Sequence, residues 1–276
     1  MEIEQESDAI DVRAVERAIE LLAIGGPITW LPVAGSTNQL ALEAAQAGAR
    51  RGIWLADEQT AGRGRGGHSW HSTRGDGLYV SVLVTPELPM DRALWLALAT
   101  GLAAQQAILA TAGIQIDLRW PNDLLCGPRK LGGILVESSI ANVSATAGSG
   151  LRYAVLGVGI NVHHRSFPPE IASLATSLQL EGAGKVSRQA LLIAFLRALD
   201  REMDELDREY AGLGTGGSLL KRFTEASSWV RGKRVQVPEE GGYTGFTAGL
   251  DARGFLLVDD DDGMRRTVLS GGVREF

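Results

Sequence analysis

Between Ile28 and Asn161, strand-like and helix-like segments interleave, yet several neighbouring strand segments are joined by links too short to hold a helix. A purely parallel sheet needs a long crossover at every step, so this spacing predicts a mixed one. Ile28 to Val33 and Gly52 to Asp57 read as strands; between them lies a helix capped by Ser36 or Thr37 and stopped at Gly48. Further strands are expected at Leu78 to Thr85, Ile116 to Trp120, Leu131 to Ser139 and Tyr153 to Asn161, with one helix from Asp91 to Thr111. The small, polar stretch Ile140 to Gly150 suits a link between antiparallel neighbours. Ser187 opens a long amphipathic helix through Tyr210, and Thr215 to Ser228 suits another. After Trp229 the pattern changes to short strands at Arg234 to Val237, Tyr243 to Leu250, Phe255 to Asp259 and Thr267 to Leu269, which suits a small β-barrel. The aspartates from Asp259 to Asp262 read as a solvated turn.

Upstream, Val12 to Ile24 has helical spacing and is stopped by Gly25, Gly26 and Pro27. One helix does not make a helix-turn-helix unit, and a net charge of −6 opposes general affinity for DNA, so no sequence-specific DNA binding is expected. No stretch approaches the roughly 20 uninterrupted apolar residues that span a bilayer. The acidic start, MEIEQESDAID, lacks the basic and apolar pattern of a secretory signal, so the cytoplasm is the expected compartment. The single cysteine, Cys126, excludes an internal disulfide framework.

Three motifs suggest chemistry. Gly62-Arg63-Gly64-Arg65-Gly66-Gly67 offers exposed backbone N–H groups and planar cations to an anion, although such a tract is equally compatible with simple flexibility. It formally contains G-x-G-x-x-G but lacks the strand-to-helix turn of a dinucleotide fold, and no P-loop occurs. Arg119-Trp120-Pro121-Asn122-Asp123 sits at a strand end, where it could form a turn or hold hydrated magnesium. Lys130 precedes Leu131-Gly132-Gly133, where the absence of side chains admits a ligand to the backbone. His68 with His71, and the adjacent His163 and His164, lack converging partners and are not read as metal ligands.

The order of these motifs is similar to that of biotin protein ligases. The resemblance rests on Gly-Ser-Thr-Asn at 35–38, Glu-Gln-Thr-Ala-Gly-Arg-Gly-Arg at 58–65, Trp70, Trp-Pro-Asn-Asp-Leu at 120–124, Lys-Leu-Gly-Gly-Ile-Leu-Val-Glu at 130–137, Gly-Val-Gly-Ile-Asn-Val at 157–162 and Leu-Ala-Thr-Ser-Leu at 174–178. It implies an α+β catalytic domain with a mixed sheet over residues 27–228, an N-terminal helical extension over 1–26, and an SH3-like barrel over 229–276. It implies biotin and ATP as substrates with magnesium, formation of biotinyl-5′-AMP, and transfer to a lysine of the biotin carboxyl carrier protein of acetyl-CoA carboxylase or a similar carrier. Lys130 and Arg65 would be the catalytic cations. Biotin would meet Ser36, Thr37, Asn38, Gln59, Arg63, Gly64, Arg65, Lys130 and Gly133. The adenylate would meet Arg63, Arg65, Trp70, Asn122, Asp123, Lys130 and Asn161, with Asp123 nearest the metal. The C-terminal Gly271-Gly272-Val273-Arg274-Glu275-Phe276 is slightly abbreviated relative to that family's usual ending, so Arg274 is assigned no nucleotide contact. A lipoate ligase and a non-catalytic biotin sensor are the competing readings. The expected assembly is a monomer or homodimer.

Overall fold

Strand alternation decides which face of the main sheet each helix covers. The computed structural model describes residues 8–140, 150–214, 218–269 and 272–276. The mixed sheet has seven strands: β1 (Ile28–Leu31), β2 (Gly52–Ala56), β3 (Gly77–Val84), β4 (Asp117–Arg119), β5 (Asp123–Cys126), β6 (Arg129–Ile140) and β7 (Leu151–Asn161). Their order is β1-β2-β3-β7-β6-β5-β4. Only β1 and β2 run parallel, joined by helix α2 (Thr37–Gln46); the other neighbours are antiparallel. The link read from Ile140 to Gly150 lies largely outside the described residues, at 141–149, but the strands on either side of it pair antiparallel as expected.

On one face, Ala41 and Ala45 of α2 pack against Trp54, Leu83, Tyr153 and Val155. The opposite face, with Val80, Val82, Leu156 and Val158, joins the main core beneath helix α3 (Ala93–Ala112). Helix α3 is apolar around its whole circumference because α4 (Arg188–Tyr210) covers its outer side. With the preceding turn, Met90–Ala112 reaches the length and mean hydropathy of a membrane span, although Asp91, Arg92, Gln105 and Gln106 interrupt its apolar residues, and most of the segment is buried within the fold. Gly113 ends it in the left-handed conformation, returning its N–H to Leu109 O.

Some boundaries and elements differ from expectation. Helix α1 (Val12–Ile19), capped by Asp11, stops short of Ile24, whose side chain folds into the core. Strand β5 differs from expectation, because it starts within the turn formers Pro121-Asn122-Asp123 and ends at Gly127. A second helix, α5 (Leu219–Ala226), is capped by Ser218; the start expected at Thr215 lies outside the described residues. The C-terminal strands are β8 (Arg231–Val237), β9 (Tyr243–Leu250), β10 (Leu256–Asp260), β11 (Arg265–Val268) and β12 (Arg274–Glu275). They form an antiparallel sheet in the order β11-β10-β9-β8-β12. Its acid run is ion-paired rather than simply solvated: Asp259 meets Arg265, Asp260 meets Arg266 and Asp261 meets Arg234.

Candidate functional site

Glycines clear one patch of the sheet. Gly133 of β6 lies opposite Gly159 of β7, and Gly157 is flanked by Ser81 and Leu135. A methyl at Gly159 would come within 2.5 Å of Trp70 Nε1, and one at Gly157 would overlap Asn38 Oδ1. The resulting cleft, connected to solvent, encloses about 460 Å³ and is lined by residues from Ser36–Asn38, Gln59, Arg63–Arg65, Trp70, Asn122, Lys130 and the glycine floor.

The wall at the first turn of α2 is polar and buried. Ser36 makes no side-chain cap bond, although it stands at the cap position. Gln59 Oε1 accepts from Thr37 N (2.9 Å) and Thr37 Oγ1 (3.2 Å), while Gln59 Nε2 donates to Ser72 Oγ at 3.1 Å. Asn38 Nδ2 donates to Leu135 O and Glu137 Oε2, and Asn38 Oδ1 accepts from Ser81 Oγ at 2.6 Å. Asn38 therefore shapes the wall with its whole amide, besides lining the cleft.

The glycine–arginine tract forms a short hairpin over the cleft. Trp70 N donates to Gly62 O and Gly64 N to His68 O, while Gly66 and Gly67 take positive φ at the tip. Arg63 Nη2 pairs with Glu137 at 3.2 Å. Arg65 Nη1 donates to Asn122 Oδ1 at 3.1 Å, and Asn122 Nδ2 in turn donates to Ile134 O. Burial lowers the pKa of Arg65, against the opposing pull of Asp123 and Glu239.

At the far end, Lys130 Nζ lies 2.5 Å from Asp123 Oδ1 and 5.6 Å from the centre of the Trp70 ring. Its backbone is clamped by the Leu-Ala-Thr-Ser-Leu segment: Lys130 N donates to Leu174 O and Thr176 N donates to Lys130 O. Burial alone would raise the Asp123 carboxyl, but Lys130 and Arg119 hold it below the usual carboxylate range. Trp70 lies against Gly133 and Gly159, with its indole N–H buried and lacking a hydrogen-bond partner.

Two expected residues stand elsewhere. Asn161 is buried and donates Nδ2 to Thr176 O, outside the lining of the cleft. Asp123 is likewise outside the lining, and both of its oxygens are engaged by cations, Lys130 on one and Arg119 on the other. Among the described residues, no group of three acidic, histidine or cysteine side chains suited to a metal occurs. Glu137 closes the motif at 130–137, but a single charge on a strand gives no local sign that it meets Arg63 and Asn38.

A polar wall, a floor without side chains and a cluster of cations suit a ligand with a hydrogen-bonding head, a slim apolar body and an anionic end. A family model described as the biotin/lipoate A/B protein ligase family matches residues 30–161. The chain is 32% identical over 247 residues to the bifunctional ligase/repressor BirA of Bacillus spizizenii, covering 88% of this chain and 72% of that protein. It is 32% identical over 270 residues to the biotin–[acetyl-CoA-carboxylase] ligase of Mycobacterium tuberculosis, covering 93% of each. The structure is similar to that of the biotin protein ligase from Aquifex aeolicus in complex with biotin and ATP, with a TM-score of 0.70 and 27% identity over 90% of this chain and 97% of that one.

Proposed function

The chain belongs to the biotin/lipoate A/B protein ligase family, and from that premise we propose how its cleft works as a biotin protein ligase. A biotin carboxylate oxygen attacks the α-phosphorus of ATP; the bond to the bridging oxygen breaks, giving biotinyl-5′-AMP and pyrophosphate. A neutral lysine amine of a carrier domain then attacks the acyl carbon, and AMP leaves as an amide forms and a proton is lost. The single observation that carries this reading is the convergence of Ser36, Thr37 and Gln59 with Arg63, Arg65 and Lys130 on one cleft.

Ser36, Thr37 and Gln59 take the ureido ring, and Gly64 and Gly133 admit the ligand to backbone. Lys130 and Arg65 face the carboxylate and α-phosphate, where negative charge accumulates during attack. Asn122 positions Arg65, and Trp70 borders the purine. Magnesium would enter with the phosphates of ATP, since Asp123 is already paired.

Residues 27–228 make the catalytic domain and 229–276 an SH3-like barrel, a division supported by the separate C-terminal sheet. The carrier is the biotin carboxyl carrier protein of acetyl-CoA carboxylase or a similar domain. The enzyme works in the cytoplasm, where ATP is available, as a monomer or homodimer. Among the described residues, the segment before β1 carries helix α1, which packs on α4.

Mass spectrometry of a purified carrier domain after incubation with the protein, ATP and magnesium tests the reading, with biotin in one tube and lipoate in another. One biotinyl addition that requires ATP is expected. Lipoyl addition alone, or neither product with no pyrophosphate release, overturns it.

A further inference from the structure

One carboxylate oxygen joins the arginine hairpin to the wall of the cleft. Glu137 Oε2 accepts from Arg63 Nη2 at 3.2 Å and from Asn38 Nδ2 at 3.0 Å. From Asn38 the contacts continue inward: Ser81 Oγ reaches Asn38 Oδ1 at 2.6 Å and Thr37 Oγ1 at 2.8 Å. Thr37 meets Gln59, and Gln59 Nε2 meets Ser72 Oγ, which donates to Trp70 O at 3.3 Å. Trp70 N donates to Gly62 O, so the circuit re-enters the hairpin beside Arg63. The two strands of the hairpin are thus tied to opposite ends of one chain of polar contacts, and that chain passes through the residues assigned to the ureido ring. A second cavity of about 750 Å³ open to solvent lies on the hairpin's other flank, lined by Arg63 to His68 and by Leu135 to Glu137. On that side the Arg63–Glu137 pair is a discrete tether across open space, in place of continuous packing.

We propose that Glu137 is a positioning residue for biotin: it latches the hairpin, through Arg63, to the wall that holds the ureido ring. This rests on the ligase reading above. A half-exposed charge pair contributes little to global stability, yet a hinged hairpin needs only a small bias to stay closed. Glutamine at 137 can still accept from Asn38, but it removes the charge that holds Arg63. Because Glu137 is absent from the lining of the cleft, its loss acts on biotin through Arg63 and Asn38.

The test compares wild type, Glu137→Gln, Arg63→Gln and the double variant in the full-length protein. Trypsin cleavage after Arg65, a site that all four proteins retain, is followed without ligand, and kcat and KM for biotin are measured by pyrophosphate release at saturating ATP. Glu137→Gln is expected to speed ligand-free cleavage about fivefold and raise KM for biotin about fivefold, with a smaller change in kcat. The double variant should resemble the worse single variant instead of multiplying the two effects. Unchanged cleavage and KM in a folded Glu137→Gln, or multiplicative effects in the double, overturn the latch while leaving the ligase reading intact. A wild-type protein that neither binds biotin nor releases pyrophosphate overturns both.

Discussion

The indole N–H of Trp120 donates to the carbonyl of Gly254 at 2.9 Å, a buried bond between residues 134 positions apart. It pins the end of β4 to a turn of the C-terminal sheet, two residues before Asn122. Trp120→Phe keeps the ring but leaves the carbonyl without its partner. A loss of about 1–3 kcal/mol in chemical unfolding is expected. KM for ATP should rise more than KM for biotin, because the Asn122 end of the cleft loosens first. Equal stability in both proteins would show that the bond contributes nothing.

Gly157→Ala places a methyl against Asn38 Oδ1, beside the bonds that Asn38 makes to Ser81, Leu135 and Glu137. Both ends of the Asn38 amide are engaged, so it cannot give way without breaking them. Destabilisation of about 1–3 kcal/mol and loss of most biotin affinity are expected, measurable by calorimetric titration. A variant that binds biotin as wild type does would mean that this part of the floor is not used.

Lys130→Ala removes the cation beside Asp123 and the Trp70 ring. Pyrophosphate release should fall about 10²–10³-fold, with a much smaller effect on folding at neutral pH because Arg119 still holds Asp123. The wild-type Asp123 carboxyl lies below its usual 3.8, so its contribution is complete above that pH and disappears as pH falls through the lowered value. In the variant the depression shrinks, and that contribution should be lost at a higher pH. Unfolding midpoints measured against pH in both proteins check the direction.

His164 is buried, stacked on Phe167 with ring centres 5.0 Å apart. Burial brings its pKa down from 6.5 to about 4. The folded protein keeps this imidazole neutral while the unfolded chain takes up a proton below 6.5, so stability is complete above 6.5 and declines as pH falls towards 4. His164→Phe should flatten that part of the pH profile relative to wild type. Parallel curves for the two proteins would count against it.

Residues that line the cleft are the easiest to find in the sequence, because glycine tracts and clustered cations are unusual anywhere else. Lys130, Arg63, Arg65, Gln59 and Gly133 all come to one cleft. What supports them is harder to see. Thr176 holds Lys130 through main-chain atoms, which any residue type supplies, and Asn161 carries a motif asparagine whose amide is spent on Thr176. Glu137 lies 74 positions from Arg63, and no local pattern announces that pairing. Most of the main sheet could be read from its apolar runs, whereas β5 starts inside the Pro121-Asn122-Asp123 turn formers, which hid it.

Helix α3 has no water-loving side, and its cover arrives late. As the chain leaves the ribosome, residues 93–112 emerge before β6 and β7, and well before α4 at 188–210. Throughout that interval the nascent protein carries a predominantly apolar helix that lacks α4, the element it contacts most. Chaperone capture during synthesis, and sticky truncation products for any fragment that ends before α4 is complete, follow from where this helix sits in the gene's reading order.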